Sequence, residues 1–329
     1  MATDLKHEDR LLLMLLQDQF PLNAVPYTDL AERLGWTESA VLERIPRYRE
    51  RGLLREISAI FDTRRLGYRS TLVALQVEPG RLDAVADAIG RHPGVSHSYG
   101  RDHAFNLWFT LAVPPKADLM QEAQALAEQP GVLRMLSLPV VRTFKIDARF
   151  DLNGEGPGVG QPALLPAMPP IILAEEDIAY VRALQADLPL VQRPFWSLAV
   201  QAGLREAELL DAARRLRATG IVRRYGAILR HQQAGYTANA MVCWKLPEEA
   251  IPLAGEMVAA HWAVSHCYQR ASYPPEWPYS LFAMVHARSQ AQLESAVQEL
   301  EDRIRPQATA VLATTREYKK ERPRYFLHT

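Results

Sequence analysis

Hydrophobic residues follow two different periods along the chain, and each period predicts its own kind of element. The segment HEDRLLLMLLQDQ has the spacing of an amphipathic helix, and two shorter helical segments, YTDLAERLGW and ESAVLERIPRYRERG, follow around a turn. The segment YRSTLVALQV then alternates every second residue, which places Thr71, Val73, Leu75 and Val77 on one face of a strand. This order predicts a winged helix-turn-helix followed by a sheet.

The segments after that strand complete a βαββαβ pattern. They are a helix (RLDAVADAIGRH), two strands (VSHSYGR and FNLWFTLAV), a helix (KADLMQEAQALAEQ) and a last strand (VLRMLSLPVVRTFKI). The alternation of single helices with strands of one sheet is typical of a ferredoxin-like domain. The predicted fold class is therefore α+β.

The whole pattern occurs twice in the chain. Pro21-Leu22 recurs as Pro189-Leu190 and Gly67-Tyr68 as Gly235-Tyr236, both at an offset of 168 residues. His97, Tyr99 and Arg101 recur as His266, Tyr268 and Arg270, one residue further on. Chance does not hold a register over so many positions, so we predict a tandem duplication of one unit.

The repeat sets the predicted domain boundaries. Between the copies lies NGEGPGVGQPALLPAMPP, whose glycines and prolines sustain neither a helix nor a strand, so it is predicted to be a linker. The predicted parts are a helix-turn-helix at 1–62, a ferredoxin-like domain at 63–152, the linker at 153–170, a second helix-turn-helix at 171–230 and a second ferredoxin-like domain at 231–329.

Candidate chemistry concentrates in one strand of each copy. If residues 95–101 form a strand, His97, Tyr99 and Arg101 share one face, and their polar groups span roughly 13 Å, which suits a flat ligand of porphyrin size. A lone histidine on a strand is usually structural, but the retention of the same three residues in both copies favours a functional site.

Neighbouring residues extend the candidate site. In the next strand Asn106 and Trp108 are predicted to lie on the face opposite Phe105, Leu107 and Phe109. The second copy carries an insertion, YPPEWPY, which supplies Trp277 and Tyr279. His103 has no histidine counterpart in the second copy, so the two halves are predicted to differ, with one dominant pocket between the two βαββαβ units.

A winged helix-turn-helix followed by a βαββαβ unit resembles the leucine-responsive regulator/AsnC family over nearly the whole chain, twice over. The segments SHSYGRDHAFNLWFT and SHCYQR, the latter followed by WPYSLFAMVH, resemble the two paired subunits of siroheme decarboxylases. That resemblance implies an internal pseudo-dimer that removes two acetate carboxyl groups from siroheme. The products would be 12,18-didecarboxysiroheme and carbon dioxide, on a route to haem or to the haem of nitrite reductase.

The residues suit that chemistry. Arginine pairs with carboxylates in a bidentate manner, so Arg101 and Arg270 are predicted anchors. Histidine is the side chain best suited to proton donation near neutral pH, so His97 and His266 are predicted general acids. Tyr99 and Tyr268 would orient them or relay protons. Substrate contacts are predicted for His103, Asn106, Trp108, Trp277 and Tyr279. No metal or cofactor beyond the iron tetrapyrrole is predicted, because the substrate itself can accept the electrons.

Two other function classes fit the same pattern. A DNA-binding regulator would use Arg44, Arg47, Arg49 and Arg51. However, Pro46 lies inside that helix, where it removes a backbone hydrogen bond, and Glu206 and Glu208 lie at the start of the matching helix of the second copy. The 38 basic and 38 acidic residues also balance, whereas DNA-binding domains are usually basic. A sensor that binds haem as a regulatory ligand, without turnover, is the third class.

The cysteine content and the lengths of the apolar stretches limit the kinds of site and the cellular location that the sequence predicts. Two cysteines, Cys243 and Cys267, rule out a disulfide framework or a cysteine-rich metal site. Cys267 is predicted to be a small buried residue. No apolar stretch reaches the ~20 residues that span a bilayer, and MATDLKHEDR lacks a secretory core, so a cytoplasmic protein is predicted. The sequence leaves open whether two fused chains pair as a homodimer.

Overall fold

The computed structural model describes residues 5–146, 171–229 and 237–327. The predicted linker at 153–170 lies outside the described residues. The first copy contains α1 (His7–Asp18), α2 (Pro26–Leu34), α3 (Glu38–Glu50), β1 (Leu54–Phe61), β2 (Arg69–Val77), α4 (Leu82–Gly90), β3 (Val95–Arg101), β4 (Leu107–Val113), α5 (Leu119–Ala127) and β5 (Val132–Ile146).

The second copy repeats this order, which confirms the predicted tandem α+β fold. Its elements are α6 (Glu175–Leu184), α7 (Pro194–Gln201), α8 (Glu206–Ala218), β6 (Val222–Leu229), β7 (Ala238–Lys245), α9 (Ile251–Ala259), β8 (Val264–Arg270), β9 (Leu281–Ala287), α10 (Gln290–Ile304) and β10 (Ala308–Lys320).

The chain divides into two compact units that each combine parts of both copies. The first unit comprises Met1–Gly67, Pro169–Gly235 and Arg324–Thr329, and the second comprises Tyr68–Met168 and Tyr236–Pro323. In the first unit the two helical segments share a two-stranded antiparallel sheet, in which β1 pairs with β6. Like domains of the two copies thus fold together.

The second unit is a closed eight-stranded barrel with the strand order β10-β3-β4-β2-β5-β8-β9-β7. The two longest strands join the copies. The first part of β5 pairs with β2 and its last part with β8, while β10 pairs first with β7 and then with β3. Each copy therefore completes the sheet of the other, and closure leaves no unpaired edge.

Alternate residues of the barrel strands form three clusters. Two of them lie under helices: Val73, Leu75 and Val77 pack with α4 and α5, and the second copy packs likewise with α9 and α10. The third cluster includes no residue of a helix and is the inner face of the barrel. Its buried members are Ala74, Phe105, Trp108, Leu136, Leu138, Met241, Cys243, Trp277, Phe282 and Leu312.

Helix α9 packs closely against Phe144 at Gly255, and a substitution there tests this packing. A Cβ at Gly255 in α9 would lie 2.3 Å from Cζ of Phe144, which belongs to the same helix-covered cluster. We expect Gly255→Ala to lower the free energy of unfolding by about 1–3 kcal/mol through overpacking. Gly90→Ala, in the matching helix of the first copy, meets nothing within 4 Å and should be neutral or stabilising. Urea unfolding followed by circular dichroism measures both; equal effects would contradict the expectation.

Candidate functional site

The two His-Tyr-Arg triplets lie in matching rows on β3 and β8. The ring centroids of His97 and Tyr99 are 6.4 Å apart, and those of His266 and Tyr268 are 6.2 Å apart. The guanidinium carbon of Arg101 lies 5.1 Å from the Tyr99 ring centroid, and that of Arg270 lies 4.9 Å from the Tyr268 ring centroid. In each copy the imidazole, phenol and guanidinium are consecutive neighbours on one face.

Both rows face the inside of the barrel. Tyr99 lies opposite Trp108 in the sheet and Tyr268 lies opposite Phe282, and both partners belong to the inner cluster. The register slips between Val95 and His97, and again at the matching place in β8. Because of this bulge, Val95 packs against the helices while the row that begins at His97 faces inward.

Each arginine also fastens the last strand of the opposite copy. Arg101, 5% exposed, donates from Nη1 to the Leu312 carbonyl at 3.0 Å and to Thr314 Oγ1 at 2.6 Å. Arg270 donates from Nη1 to the Leu138 carbonyl at 2.8 Å. Burial lowers the pKa of Arg101 from its ordinary value, although a guanidinium stays charged in proteins.

Arg101 keeps donor capacity that these bonds do not use. Its Nε is buried and has no hydrogen-bond acceptor among the residues that the structure describes. An unpaired buried donor costs stability, about 1–3 kcal/mol for a typical group. Such an atom is suited to an anionic ligand that enters the barrel, because the ligand would supply the absent acceptor.

A serine precedes each histidine of the triplets and bonds to it. Nδ1 of His97 lies 3.0 Å from Ser96 Oγ, and Nδ1 of His266 lies 2.8 Å from Ser265 Oγ. In both copies the serine hydroxyl therefore engages Nδ1 of the triplet histidine. Sequence reasoning missed the serines, although both copies retain the Ser-His pair.

The second copy extends this bond to a further histidine. Ser265 Oγ lies 2.8 Å from Nε2 of His286, a buried residue of β9. Burial, with a smaller contribution from the positive charge of Lys320, lowers the pKa of His286 to about 4. The sequence search for retained residues did not find His286, because the first copy has Ala112 at the matching position.

The insertion of the second copy contributes aromatic residues to the inner cluster. The Trp277 side chain is completely buried, and its ring centroid lies 5.1 Å from that of Trp108 and 4.9 Å from that of Tyr279. His103 lies 5.5 Å from the Trp277 ring in an edge-on contact. Burial lowers the pKa of His103, which favours a neutral imidazole. The structure thus brings His103, Trp108, Trp277 and Tyr279 together.

Two details of the predicted site need correction. Phe105 was predicted to lie on the face opposite Trp108, but both belong to the inner cluster, because Phe105 precedes β4 and does not follow its alternation. The side chain of Asn106 makes two hydrogen bonds with the backbone of Val77. Its Oδ1 accepts from the Val77 N–H at 2.9 Å, and its Nδ2 donates to the Val77 carbonyl at 2.7 Å. These bonds close the end of β2, so the structure gives Asn106 a part in the sheet.

The cysteines and the charged clusters show no metal site in the described ranges. Among residues 5–146, 171–229 and 237–327, no group of three or more His, Cys, Asp or Glu could hold a metal ion. Both cysteines are buried, and burial raises the pKa of each thiol. Cys267 packs in the helix-covered cluster, where Sγ contacts the Gly255 carbonyl at 3.7 Å. Within the same ranges, no helix is long and apolar enough to cross a membrane.

Known families match both parts of each copy. A model described as a siroheme decarboxylase NirDL-like HTH domain matches residues 9–55 and 177–223. A model described as an AsnC-like ligand binding domain matches residues 65–145 and 233–319. The two models alternate along the chain in the order that the repeat predicts.

Relatives of established name cover nearly the whole chain. Siroheme decarboxylase from Hydrogenobacter thermophilus is 39% identical over 316 residues, which is 96% of this chain and 94% of that protein. The alpha and beta subunits of siroheme decarboxylase from Desulfovibrio desulfuricans are 36% and 39% identical over 152 and 151 residues, each 46% of this chain. These matches span 87% and 95% of the respective subunits.

A solved structure also matches. The crystal structure of the siroheme decarboxylase NirDL covers 98% of this chain and 94% of its own, with 36% sequence identity and a TM-score of 0.76. A second structure of NirDL, in co-complex with an iron-uroporphyrin III analogue, also gives a TM-score of 0.76 at 36% identity, with 97% of this chain and 95% of that chain covered.

Proposed function

Because this chain belongs to the siroheme decarboxylase family and is a decarboxylating lyase, we propose that it removes two acetate carboxyl groups of siroheme, yielding 12,18-didecarboxysiroheme and carbon dioxide. The observation that carries the proposal is the pair of His-Tyr-Arg rows, which face the inside of one barrel. The product would serve the synthesis of haem or of the haem of nitrite reductase.

Binding rests on charge and on an apolar lining. Siroheme carries carboxylates around a flat macrocycle, so its site must combine cations with aromatic surfaces. Arg101 and Arg270 supply guanidinium groups to carboxylates, and Trp108, Trp277 and Tyr279 supply the rings. The apolar surroundings also desolvate the departing carboxylate, which favours loss of carbon dioxide.

The reaction needs an acid at the carbon that loses its carboxyl group. The bond between the methylene carbon and the carboxyl carbon breaks, carbon dioxide leaves, and the conjugated macrocycle takes up the electron pair. A proton then reaches the methylene carbon and makes it a methyl group. His97 and His266 deliver that proton from Nε2. Burial raises the pKa of Tyr99 to about 12, so its phenol keeps its proton and can orient the carboxylate.

Anaerobic incubation of the purified protein with siroheme tests the proposal. We expect the mass of the tetrapyrrole to fall by two units of carbon dioxide, as measured by mass spectrometry of the extracted pigment. A sensor that binds without turnover would shift the absorption spectrum of siroheme and leave its mass unchanged. Such a result would contradict the proposed reaction.

The variant Arg270→Lys tests whether Arg270 contributes to substrate binding or to the chemical step. A lysine keeps the charge but cannot pair with a carboxylate through two parallel bonds, so we expect Arg270→Lys to raise KM about tenfold with little change in kcat. The matched control is Arg316→Lys, since Arg316 is exposed and pairs with Asp83 at the surface. Steady-state rates of carbon dioxide release measure both variants; equal KM values in both would remove Arg270 as an anchor.

The helix-turn-helix segments are proposed to be scaffolding. Basic residues of α3 already have acidic partners in the first unit: Arg44 lies 3.5 Å from Asp9, and Arg49 lies 2.9 Å from Asp187. The helix runs through Pro46, and Glu206 and Glu208 form the first turn of α8. A gel-shift assay with mixed duplex DNA should show no retardation at physiological salt; binding would favour the regulator instead.

A further inference from the structure

The two copies differ in the hydrogen-bond partners on the Nδ1 side of each triplet histidine. In the second copy His266, Ser265 and His286 form a continuous chain, with 2.8 Å between Nδ1 and Oγ and 2.8 Å between Oγ and Nε2. In the first copy, among the residues that the structure describes, the chain ends at Ser96, because Ala112 occupies the place of His286. Matching backbone bonds, from Ala112 N to Gly94 O and from His286 N to Ala263 O, establish the equivalence.

The copies also differ on the neighbouring strand. Lys320 of β10 lies opposite His97 in the sheet, whereas Ile146 of β5 lies opposite His266. The first copy therefore places a cationic residue at the position where the second places an aliphatic one. Together with the difference at Ala112 and His286, it makes the surroundings of the two triplet histidines unequal.

In the hydrogen-bond chain from His266 through Ser265 to His286, the number of protons on each group determines which group donates to which. A histidine that acts as an acid carries protons on both nitrogens, so Nδ1 of His266 donates to Ser265. The serine hydroxyl has a single proton, which it must then donate to Nε2 of His286. His286 can accept it only as a neutral imidazole, and its burial and the charge of Lys320 keep it neutral at physiological pH.

From this geometry we propose that His286 is a positioning residue that acts through Ser265 to hold His266 with its proton on Nδ1 and its Nε2 directed to substrate, so that the second copy supplies the main proton donor. The proposal rests on the proposed decarboxylation for its functional meaning. The hydrogen-bond chain itself is a property of the protein without substrate. A hydrogen bond to Nδ1 from a fixed partner holds both the ring orientation and the tautomer of a histidine.

Variants of His286 test the proposal in the full chain. We expect His286→Leu to lower kcat about ten- to a hundredfold with KM little changed, which is the usual effect of losing the group that orients a histidine. His286→Gln retains an oxygen that can accept the serine proton, so it should recover most of the loss. Retained kcat in His286→Leu would overturn the proposal.

A double substitution separates positioning from a general loss of structure. In a His266→Ala background, His286→Leu should cause no further fall in kcat, because the group it positions is absent. In a His97→Ala background it should cause its full effect. A further fall of the same size in both backgrounds would show that His286 acts on the barrel as a whole, and would overturn the proposal.

A spectroscopic measurement distinguishes this inference from the proposed function. In protein labelled with ¹⁵N-histidine, Nδ1 of His266 should keep its proton both in the cation, which can donate from Nε2, and in the neutral ring, whereas His286→Leu should give a mixture of tautomers in the neutral ring. The signal is assigned by its loss in His266→Ala. Failure of siroheme to lose mass with the wild-type protein would defeat the proposed function alone. An unchanged His266 tautomer in His286→Leu would defeat the positioning role alone.

Discussion

The His266→Ala variant should release carbon dioxide from siroheme about a hundred- to ten-thousandfold more slowly than the wild-type protein, the range typical for loss of a general acid. The reason is that the methylene carbon left by carboxyl loss has no positioned proton donor in the second copy. Bound siroheme should remain, because Arg101 and Arg270 are unchanged. The measurement combines rates of carbon dioxide release with the mass of the extracted pigment.

The His97→Ala variant is the internal comparison. The unequal surroundings of the two histidines predict a smaller fall in rate for His97→Ala than for His266→Ala. If each copy handles one carboxyl group, either variant should instead accumulate a pigment that has lost a single carbon dioxide. Full activity in both variants would remove these histidines as acids, although the family membership of the chain would stand.

The largest stability effect is expected for Trp277→Ala, at about 3–5 kcal/mol in the free energy of unfolding. The Trp277 side chain is fully buried among Trp108, Phe105 and Phe282, so its removal leaves a cavity in the inner cluster. Its segment is also anchored to the barrel, because Tyr273 donates from its hydroxyl to the Ser137 carbonyl at 2.8 Å. The surrounding side chains therefore have little freedom to fill the space.

Trp196→Ala is the matched control for that loss. Trp196 belongs to α7 in the first unit and is 52% exposed, so its removal should change the free energy of unfolding by within about 0.5 kcal/mol. Urea titration followed by far-ultraviolet circular dichroism compares the two variants without relying on tryptophan emission. Equal shifts of the unfolding midpoint would contradict the inner placement of Trp277.

Much of the fold could be predicted because the chain contains its own comparison. Hydrophobic periods identified the helices and the four strands of the βαββαβ unit in the first copy, but not β1, and the constant offset showed that the elements recur in the same order. The alternation correctly placed Val73, Leu75 and Val77 on one face of β2, and the structure shows that helices cover this face. Retention of the His-Tyr-Arg triplet in both copies selected β3 and β8 as the strands of the candidate site, without any other sequence.

Other features could not be predicted, because they depend on pairing between distant strands. Perfect alternation through 95–101 would place Val95 beside His97, whereas the bulge between them separates the helix-covered face from the inner face. The retained triplet also gave no sign that Arg101 binds the backbone of β10, which follows from the exchange of last strands. His286 escaped notice since a search for repeated residues passes over positions that differ.

The crossing of β5 and β10 between copies has a consequence for how the two halves can evolve. A barrel built from two identical chains would carry every substitution twice, so a residue such as His286 could not arise opposite an alanine. Genetic fusion removes that symmetry while fixing the ratio of the halves at one to one. Each half can therefore specialise, and the exchanged strands ensure that a specialised half still closes the same barrel.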